Sequence, residues 1–159
     1  MQTDEDCKCQ QNTSIVLCWN DFDAFIRCCK CGDYVRINTL NCPNHLKLHL
    51  LSWGKQYGKI FLQWLKSTGT EEKITAAKQF NIRSKINIKG LQTCCELSKF
   101  RRCYLFFNFN PELFKSFKKN DPCPKCKKPI VFSGFGCPFE LKCEKCLLIF
   151  PITKFYKAG

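Results

Sequence analysis

Apolar residues recur at steps of three and four along residues 46–66, and this spacing predicts the longest helix of the chain. The apolar stripe consists of Leu46, Leu50, Trp53, Tyr57, Ile60, Phe61 and Trp64. At 100° per residue, three lysines fall within about 40° of one another on another face of this helix. They are Lys55, Lys59 and Lys66. The pattern predicts an amphipathic helix with one side in the core and a basic side outside.

Short apolar runs predict strands on both sides of this helix. They are Ile15–Trp19, the alternating run Tyr34–Asn38, the aromatic run Lys99–Phe109 with its basic start, Ile130–Phe132 and Leu147–Phe150. Residues 74–90 resemble a helix-turn-helix at low resolution, with a turn at Asn81 and a second helix that begins at Ser84. The alternative for this segment is a basic hairpin or connector. Together these elements predict an α+β fold.

Four pairs of metal-ligand residues, each with two intervening residues, dominate the chemistry of the chain. They are Cys28/Cys31, Cys42/His45, Cys123/Cys126 and Cys143/Cys146. A tight turn of this length directs two side chains at one metal ion, and two such pairs complete a tetrahedral zinc shell. The spacing therefore predicts two Zn²⁺ ions, one near each end of the chain.

The N-terminal site has an alternative set of ligands. Cys28, Cys31, His45 and His49 nearly match the spacing of a two-cysteine, two-histidine finger. Cys42 is favoured over His49 as the remaining ligand, because Cys42-Pro-Asn-His45 has the form of a zinc knuckle. In that interpretation His49 lies on the helix surface or beside the metal ligands.

The remaining cysteines leave a third zinc site open. Its ligands would come from Cys7, Cys9, Cys94, Cys95 and Cys103, although none of these has a partner at two-residue spacing. Otherwise these residues are small buried hydrophobes. Cys137 is a further candidate in place of Cys143, whose pair with Cys146 has the better geometry.

The C-terminal pairs lie in a segment that resembles a zinc ribbon. Cys123-Pro-Lys-Cys126 is followed by an apolar strand, a Gly134-Phe-Gly136 turn and the second pair, Cys143-Glu-Lys-Cys146. This order is similar to the ribbons of type IA topoisomerase tails and of transcription factors, and it covers about 35 residues. The resemblance implies two β-hairpins that share a zinc ion, and a function in holding DNA or a polymerase partner.

These features divide the chain into four segments. Residues 1–14 are a loose acidic N-terminus, 15–66 a zinc finger with its amphipathic helix, 67–119 a basic middle segment of helix and strand, and 120–159 the zinc ribbon. The start of the chain lacks the basic-then-apolar layout of a secretory signal, and no apolar run is long enough to span a membrane. We therefore expect an intracellular protein of the nucleus or cytoplasm, with no membrane partner. In such a reducing compartment paired cysteines are more often metal ligands than disulfides.

The formal net charge of +13 is distributed unevenly. Residues 1–33 hold six acids and three bases, whereas residues 34–159 hold twenty-three bases and seven acids. Such a field attracts polyanions, most often DNA or RNA, although a surface that serves solubility alone is the alternative. The bases that we expect to contact nucleic acid are Lys55, Lys59, Lys66, Lys99, Arg101, Arg102, Lys125, Lys127, Lys128, Lys142 and Lys145.

The sequence does not predict an enzyme. Closed shells of cysteine ligands leave zinc no open position for water, and the chain has only two histidines, both beside candidate ligands. The leading hypothesis is a zinc-dependent nucleic-acid-binding accessory protein of transcription or replication, with a polymerase or another assembly subunit as a partner. The abundance of Lys, Asn, Ile and Phe fits an AT-rich genome, such as that of a virus or mobile element. The alternatives are a protein–protein adaptor, including a RING-like cross-braced form, and a structural component of a virion or large assembly.

Overall fold

A six-stranded mixed sheet forms the centre of the computed structural model, which describes residues 6–18, 26–107, 117–136 and 138–152. Its strands are β1 (Ile15–Leu17), β2 (Ile26–Cys28), β3 (Cys103–Phe106), β4 (Val131–Phe132), β5 (Leu141–Cys143) and β6 (Leu148–Phe150). They lie in the order β2-β1-β3-β6-β5-β4. The pairs β1/β3 and β3/β6 are parallel, and the three outer pairs are antiparallel. The sheet thus contains strands from the N-terminal, middle and C-terminal parts of the chain.

Three α-helices lie between β2 and β3 in the chain, and they make the fold α+β as the sequence predicts. They are α1 (Asn44–Lys66), α2 (Gly69–Phe80) and α3 (Lys85–Leu97). Helix α1 confirms the predicted amphipathic helix. Helices α2 and α3 meet at the predicted turn, where Asn81 ends α2 and the Ser84 hydroxyl accepts the N–H of Asn87 at 3.5 Å. No helix within the described residues has the length and apolar character needed to cross a membrane.

The two faces of the sheet have separate cores, because successive residues of a strand point to opposite sides. The first core joins the helices to the sheet and includes Ile15, Leu17, Leu105, Leu46, Leu50, Trp53, Ile86 and Leu97. The second core is smaller, lies on the opposite face, and contains Val16, Cys18, Cys29, Tyr104, Phe139 and Ile149. The strands are therefore buried on both faces at the centre of the sheet, which explains their nearly continuous apolar sequences.

The strand predicted at Tyr34–Asn38 is wrong. Tyr34 makes only isolated bridges, to Asp6 and Arg27, and a 3-10 turn occupies Ile37–Thr39. The hydroxyl and the N–H of Thr39 both donate to the Arg36 carbonyl, at 2.7 and 3.0 Å. The Arg36 carbonyl is therefore bonded within this turn and is not available to accept a hydrogen bond from a neighbouring strand.

Other predicted strands are present but shorter. The aromatic run Lys99–Phe109 forms β3 over Cys103–Phe106, and its basic start is a turn that follows α3. The run Ile130–Phe132 forms β4, and Leu147–Phe150 forms β6. Residues 108–116, Trp19 and Cys137 lie outside the described residues.

Helices α1 and α3 approach most closely at Gly90. Trp53 of α1 is fully buried, and its indole N–H donates to the Ile86 carbonyl of α3 at 3.0 Å. A Cβ atom added at Gly90 would lie 2.8 Å from Trp53 Nε1 and 3.0 Å from Leu105 Cδ1. The absence of a side chain at Gly90 therefore makes room for the indole between the helices and β3.

We predict that Gly90→Ala destabilises the protein by about 1–3 kcal/mol, because the buried indole would have to leave its hydrogen bond. This cost exceeds the gain of about 1 kcal/mol in helix propensity. Urea unfolding followed by far-UV circular dichroism measures the difference. Gly136→Ala is the matched control, since a Cβ atom there meets nothing within 4 Å. Equal midpoints for the two variants would contradict the close packing.

Candidate metal centres

Four cysteines from the first 31 residues form a cluster at one end of the sheet. Cys28 ends β2 and Cys31 lies in the turn after it, while Cys7 and Cys9 come from the segment before β1. The Sγ atoms of these four residues all lie within 4.8 Å of one another, and those of Cys7 and Cys31 are 3.6 Å apart. The Cys7 N–H donates to the Tyr34 carbonyl at 2.7 Å, which holds the N-terminal segment against this turn.

A second cluster lies beside the β5/β6 pair of the sheet and contains the four C-terminal cysteines that the sequence predicts as ligands. Cys123 and Cys126 lie in the turn before β4, Cys143 ends β5, and Cys146 lies in the turn before β6. All four Sγ atoms lie within 4.8 Å of one another, and those of Cys126 and Cys143 are 3.6 Å apart. Cys123, Cys143 and Cys146 are buried.

The three cysteine pairs with two intervening residues share one backbone turn. The residue after the second cysteine adopts a left-handed conformation in each: Gly32 (φ +79°), Lys127 (φ +62°) and Leu147 (φ +55°). In the first two turns this residue also donates its N–H to the carbonyl of the first cysteine, at 2.9 Å in both. This turn brings two thiols to the same side, which is the arrangement that the spacing predicts.

The structure does not bring Cys42 and His45 to the N-terminal cluster, which corrects the predicted ligand set. Pro43 caps α1 and Asn44 begins it, so Cys42-x-x-His45 spans a helix start instead of a turn. His45 and His49 are exposed on the first turns of α1, with ring centroids 5.9 Å apart. The cluster contains Cys7 and Cys9 beside Cys28 and Cys31, where the sequence predicts His45 together with either Cys42 or His49.

One local signal points to Cys7 and Cys9. Residues two apart on an extended chain point to the same side, so Cys7-x-Cys9 can present two thiols to one metal. The sequence suggests these cysteines only for a third site with residues of the middle segment. Cys94 and Cys103 do contact each other, with buried Sγ atoms 3.6 Å apart. Among the described residues, however, no third group of three or more ligand atoms is present.

Both clusters fit a tetrahedral zinc ion. With Zn–S bonds of about 2.3 Å, the sulfurs of a tetrahedron lie about 3.8 Å apart, close to the observed contacts of 3.6 Å. Four thiolates are a donor set that suits zinc or iron and does not suit magnesium or calcium. The two four-cysteine clusters are therefore consistent with two zinc sites, each with a closed shell.

Hydrogen bonds leave one thiol of each cluster easy to ionise. Burial raises the pKa of Cys28, but bonds from Thr13 and from the backbone N–H groups of Cys31 and Lys30 outweigh burial and lower it to about 6. Burial also raises the pKa of Cys126, but hydrogen bonds from the Lys128 N–H and neighbouring thiols outweigh burial and lower it to about 7. Each cluster thus has one preferred thiolate with which to begin binding a cation.

The other thiols in the N-terminal cluster are harder to ionise. Burial raises the pKa of Cys7, and burial raises that of Cys31 to about 12. The hydrogen bond with Cys31, followed by burial, raises the pKa of Cys9. In the C-terminal cluster burial raises the pKa of Cys143 to about 11. A metal ion that binds these sites at neutral pH must therefore displace several protons.

The bases predicted to contact nucleic acid lie in different environments. Lys55, Lys59, Lys66, Lys99, Lys125, Lys127, Lys128 and Lys145 are exposed. Arg102 is exposed but forms an ion pair with Glu144, and Lys142 pairs with the same carboxylate at 3.0 Å. Arg101 is buried and donates to Thr13 and Gln11, so its guanidinium is not at the surface where a phosphate contact requires it.

Glu144 lies between the ligands Cys143 and Cys146 and connects the C-terminal turn to β3. The Tyr104 hydroxyl donates to its carboxylate at 2.9 Å, beside the contacts from Arg102 and Lys142. Burial raises the pKa of Glu144, but the bonds from these three side chains outweigh burial and lower it. The ionised carboxylate therefore pairs with two of the predicted bases and offsets part of their positive charge.

No family model, curated protein or solved structure matches this chain.

We predict that Cys9→Ser lowers the zinc content of the purified protein from two ions per chain to one, because it removes a ligand of the N-terminal cluster. Cys42→Ser and His45→Ala are matched controls that keep two ions per chain, since neither residue belongs to a cluster. Elemental analysis of each purified variant provides the measurement. Loss of zinc in the Cys42 or His45 variant, with retention in the Cys9 variant, would restore the ligand set expected from the sequence.

We also predict that zinc affinity falls steeply on acidification. The lowered pKa of Cys28 means that its thiolate contributes in full at alkaline pH and is lost as the pH falls through about 6. Above that pH zinc displaces about three protons from the N-terminal cluster, and below it about four. Competition with a chelator between pH 5 and 8 measures the slope. An affinity that is independent of pH would show that the thiols are not the ligands.

Proposed function

We propose that the protein is a zinc-stabilised nucleic-acid-binding accessory protein of transcription or replication. The observation that carries the proposal is an exposed aromatic ring within the basic surface of residues 117–136. Phe132 of β4 is 57% exposed, and Lys119 Nζ lies 5.1 Å from the centroid of its ring. An exposed aromatic ring beside a lysine ammonium can stack on the flat face of a nucleotide base while the ammonium contacts a phosphate.

The position of Phe132 in the sheet supports this function. Among the described strands, β4 is at the edge of the sheet and pairs with β5 alone, and both of its residues are exposed. The turn that precedes β4 contains the exposed residues Lys125, Lys127 and Lys128. Bases of a single strand can stack on an edge of this kind while lysines contact the phosphates.

The charge of the metal-bound protein remains favourable for this ligand. A zinc ion with four thiolates carries a net charge of −2, so two centres reduce the formal charge from +13 to about +9. The basic residues near β4 are exposed, whereas Arg102 and Lys142 are paired with Glu144. We therefore expect phosphate contacts from the lysines of the turn before β4 and fewer from Arg102 and Lys142.

A protein–protein adaptor is the second candidate, and the outer face of α1 favours it. Leu48, Leu62 and Leu65 are exposed there, although the buried face of the same helix already supplies the core. A RING-like version has no support, because each cluster uses ligands that are neighbours in the sequence order. A cross-braced site would alternate the pairs between two metals.

We predict that Phe132→Ala weakens binding to single-stranded oligonucleotides about tenfold, because it removes one stacking platform. Fluorescence anisotropy with a labelled oligothymidine and a duplex of equal length measures affinity. Ile74→Ala is the matched control, since it removes a side chain of similar exposure from α2. Both variants should keep two zinc ions.

Replacing Lys125, Lys127 and Lys128 by alanine tests the electrostatic part of the same proposal. The slope of log affinity against log salt should fall by about 2, because each lost phosphate contact removes about 0.7 on a single strand. An affinity that does not change with salt, or that is equal in wild type and both sets of variants, would contradict the nucleic-acid function. Retention of zinc together with no binding to DNA or RNA would favour the adaptor.

A further inference from the structure

Arg101 is the buried cation of the N-terminal half of the sheet. It lies in the turn between α3 and β3, where its N–H donates to the Leu97 carbonyl at 2.8 Å. Only 9% of the residue is exposed, although arginine is among the residues least often buried without a partner. Within the described residues no carboxylate forms an ion pair with it. Asp6 lines the same pocket but pairs with Arg36, so the partners of the Arg101 guanidinium in this structure are neutral oxygen atoms.

The side chain of Arg101 points at the segment that carries Cys7 and Cys9. Its Nε donates to the Thr13 carbonyl at 2.7 Å, and its Nη2 donates to the Thr13 hydroxyl at 2.8 Å. Its Nη1 reaches Gln11 Oε1 at 3.4 Å. The forked guanidinium therefore fixes both the backbone and the side chain of Thr13, which a single-point donor such as lysine cannot do.

Thr13 connects this guanidinium to a metal ligand. Its hydroxyl oxygen lies 3.5 Å from the Sγ atom of Cys28 and donates to the Gln10 carbonyl at 2.9 Å. A metal-bound thiolate can only accept a hydrogen bond, so the sulfur and this carbonyl share the hydroxyl hydrogen. Arg101 also lines a pocket together with Cys7 and Cys9. Arg101 thus shares a pocket with two of the four ligands and is connected to a third, Cys28, through Thr13.

The same segment is held on the sheet by the neighbours of Arg101. The Ile15 N–H donates to the Arg102 carbonyl at 2.8 Å, and the Cys29 N–H donates to the Ser14 carbonyl at 2.9 Å. Residues 13–15 therefore contact both the turn with Cys28 and the turn with Arg101. The Cys7/Cys9 half of the cluster is also attached through the Tyr34 carbonyl and the Asp6–Arg36 ion pair.

We infer that Arg101, acting through Thr13, is a positioning residue for the N-terminal metal centre. The guanidinium offsets the net negative charge of a metal with four thiolates and holds the Thr13 hydroxyl on Cys28. It thereby keeps the Cys7/Cys9 segment closed over the metal. The inference rests on the proposed occupancy of this cluster by zinc, and it does not depend on nucleic-acid binding. Partners of this kind typically change metal affinity by about 10–100-fold.

The test measures metal release from each centre separately in the full chain. Cadmium-113 replaces zinc, and two resonances in the tetrathiolate region report the two centres; Cys9→Ser identifies the N-terminal one. Loss of each resonance after EDTA is added gives the release rate at each centre. The variants are Arg101→Met, Thr13→Val and the conservative Thr13→Ser, and Arg83→Met, at an exposed arginine between α2 and α3, is the control.

Arg101→Met should speed release from the N-terminal centre about tenfold or more and leave the C-terminal centre unchanged. Thr13→Val should shift the N-terminal cadmium resonance and speed release several-fold, whereas Thr13→Ser should behave as wild type. If Arg101→Met does not fold, the comparison of Thr13→Val with Thr13→Ser tests the inference instead. Unchanged release in Arg101→Met and Thr13→Val, or equal acceleration at both centres with loss of helical signal, would overturn the inference. Wild-type protein without metal at the N-terminal cluster would overturn the metal centre as well.

Discussion

Strand β3 unites the two cysteine clusters in one sheet, because it pairs in parallel with β1 on one side and with β6 on the other. β1 pairs with β2, which ends at the ligand Cys28, and β6 pairs with β5, which ends at the ligand Cys143. A two-stranded hairpin alone is marginally stable in water. β3 supplies the β1/β2 pair with a third strand and the β4–β6 strands with a fourth, and the helices cover one face of the sheet. The metal turns fix the ends of the strands, and the pairing with β3 fixes their direction.

Local signals made part of this structure predictable. The apolar period of α1 and the cysteine pairs of the C-terminal cluster depend on residues within one or two turns of each other. The same holds for the turn at Asn81 and Ser84. The parallel pairing of β1 with β3 could not be predicted in this way, because Ile15 meets Cys103 across 88 residues and no local pattern specifies that register.

The ligands of the N-terminal site were predicted wrongly for the same reason, because their positions depend on contacts between residues that are distant in the sequence. Cys42-Pro-Asn-His45 has the spacing of a metal turn, but Pro43 is the N-cap of α1, and the long apolar stripe that follows favours a helix from Asn44. Cys7-x-Cys9 has no turn of its own, and its position depends on Tyr34 and on the distant Arg101 side chain. Arg101 and Arg102 look alike in the sequence, yet the register of the following strand buries one and exposes the other.

The long separation of β1 from β3 also sets an order on folding during synthesis. All four ligands of the N-terminal cluster lie between Cys7 and Cys31 and leave the ribosome early, whereas the strand that completes their sheet follows only after the three helices. Closing so long a loop is entropically costly and slow compared with local turns. A metal ion captured early by the nascent chain would fix the β2 turn and its two thiols in advance. The cell's supply of free metal would then influence how long an unpaired β1 remains exposed to aggregation.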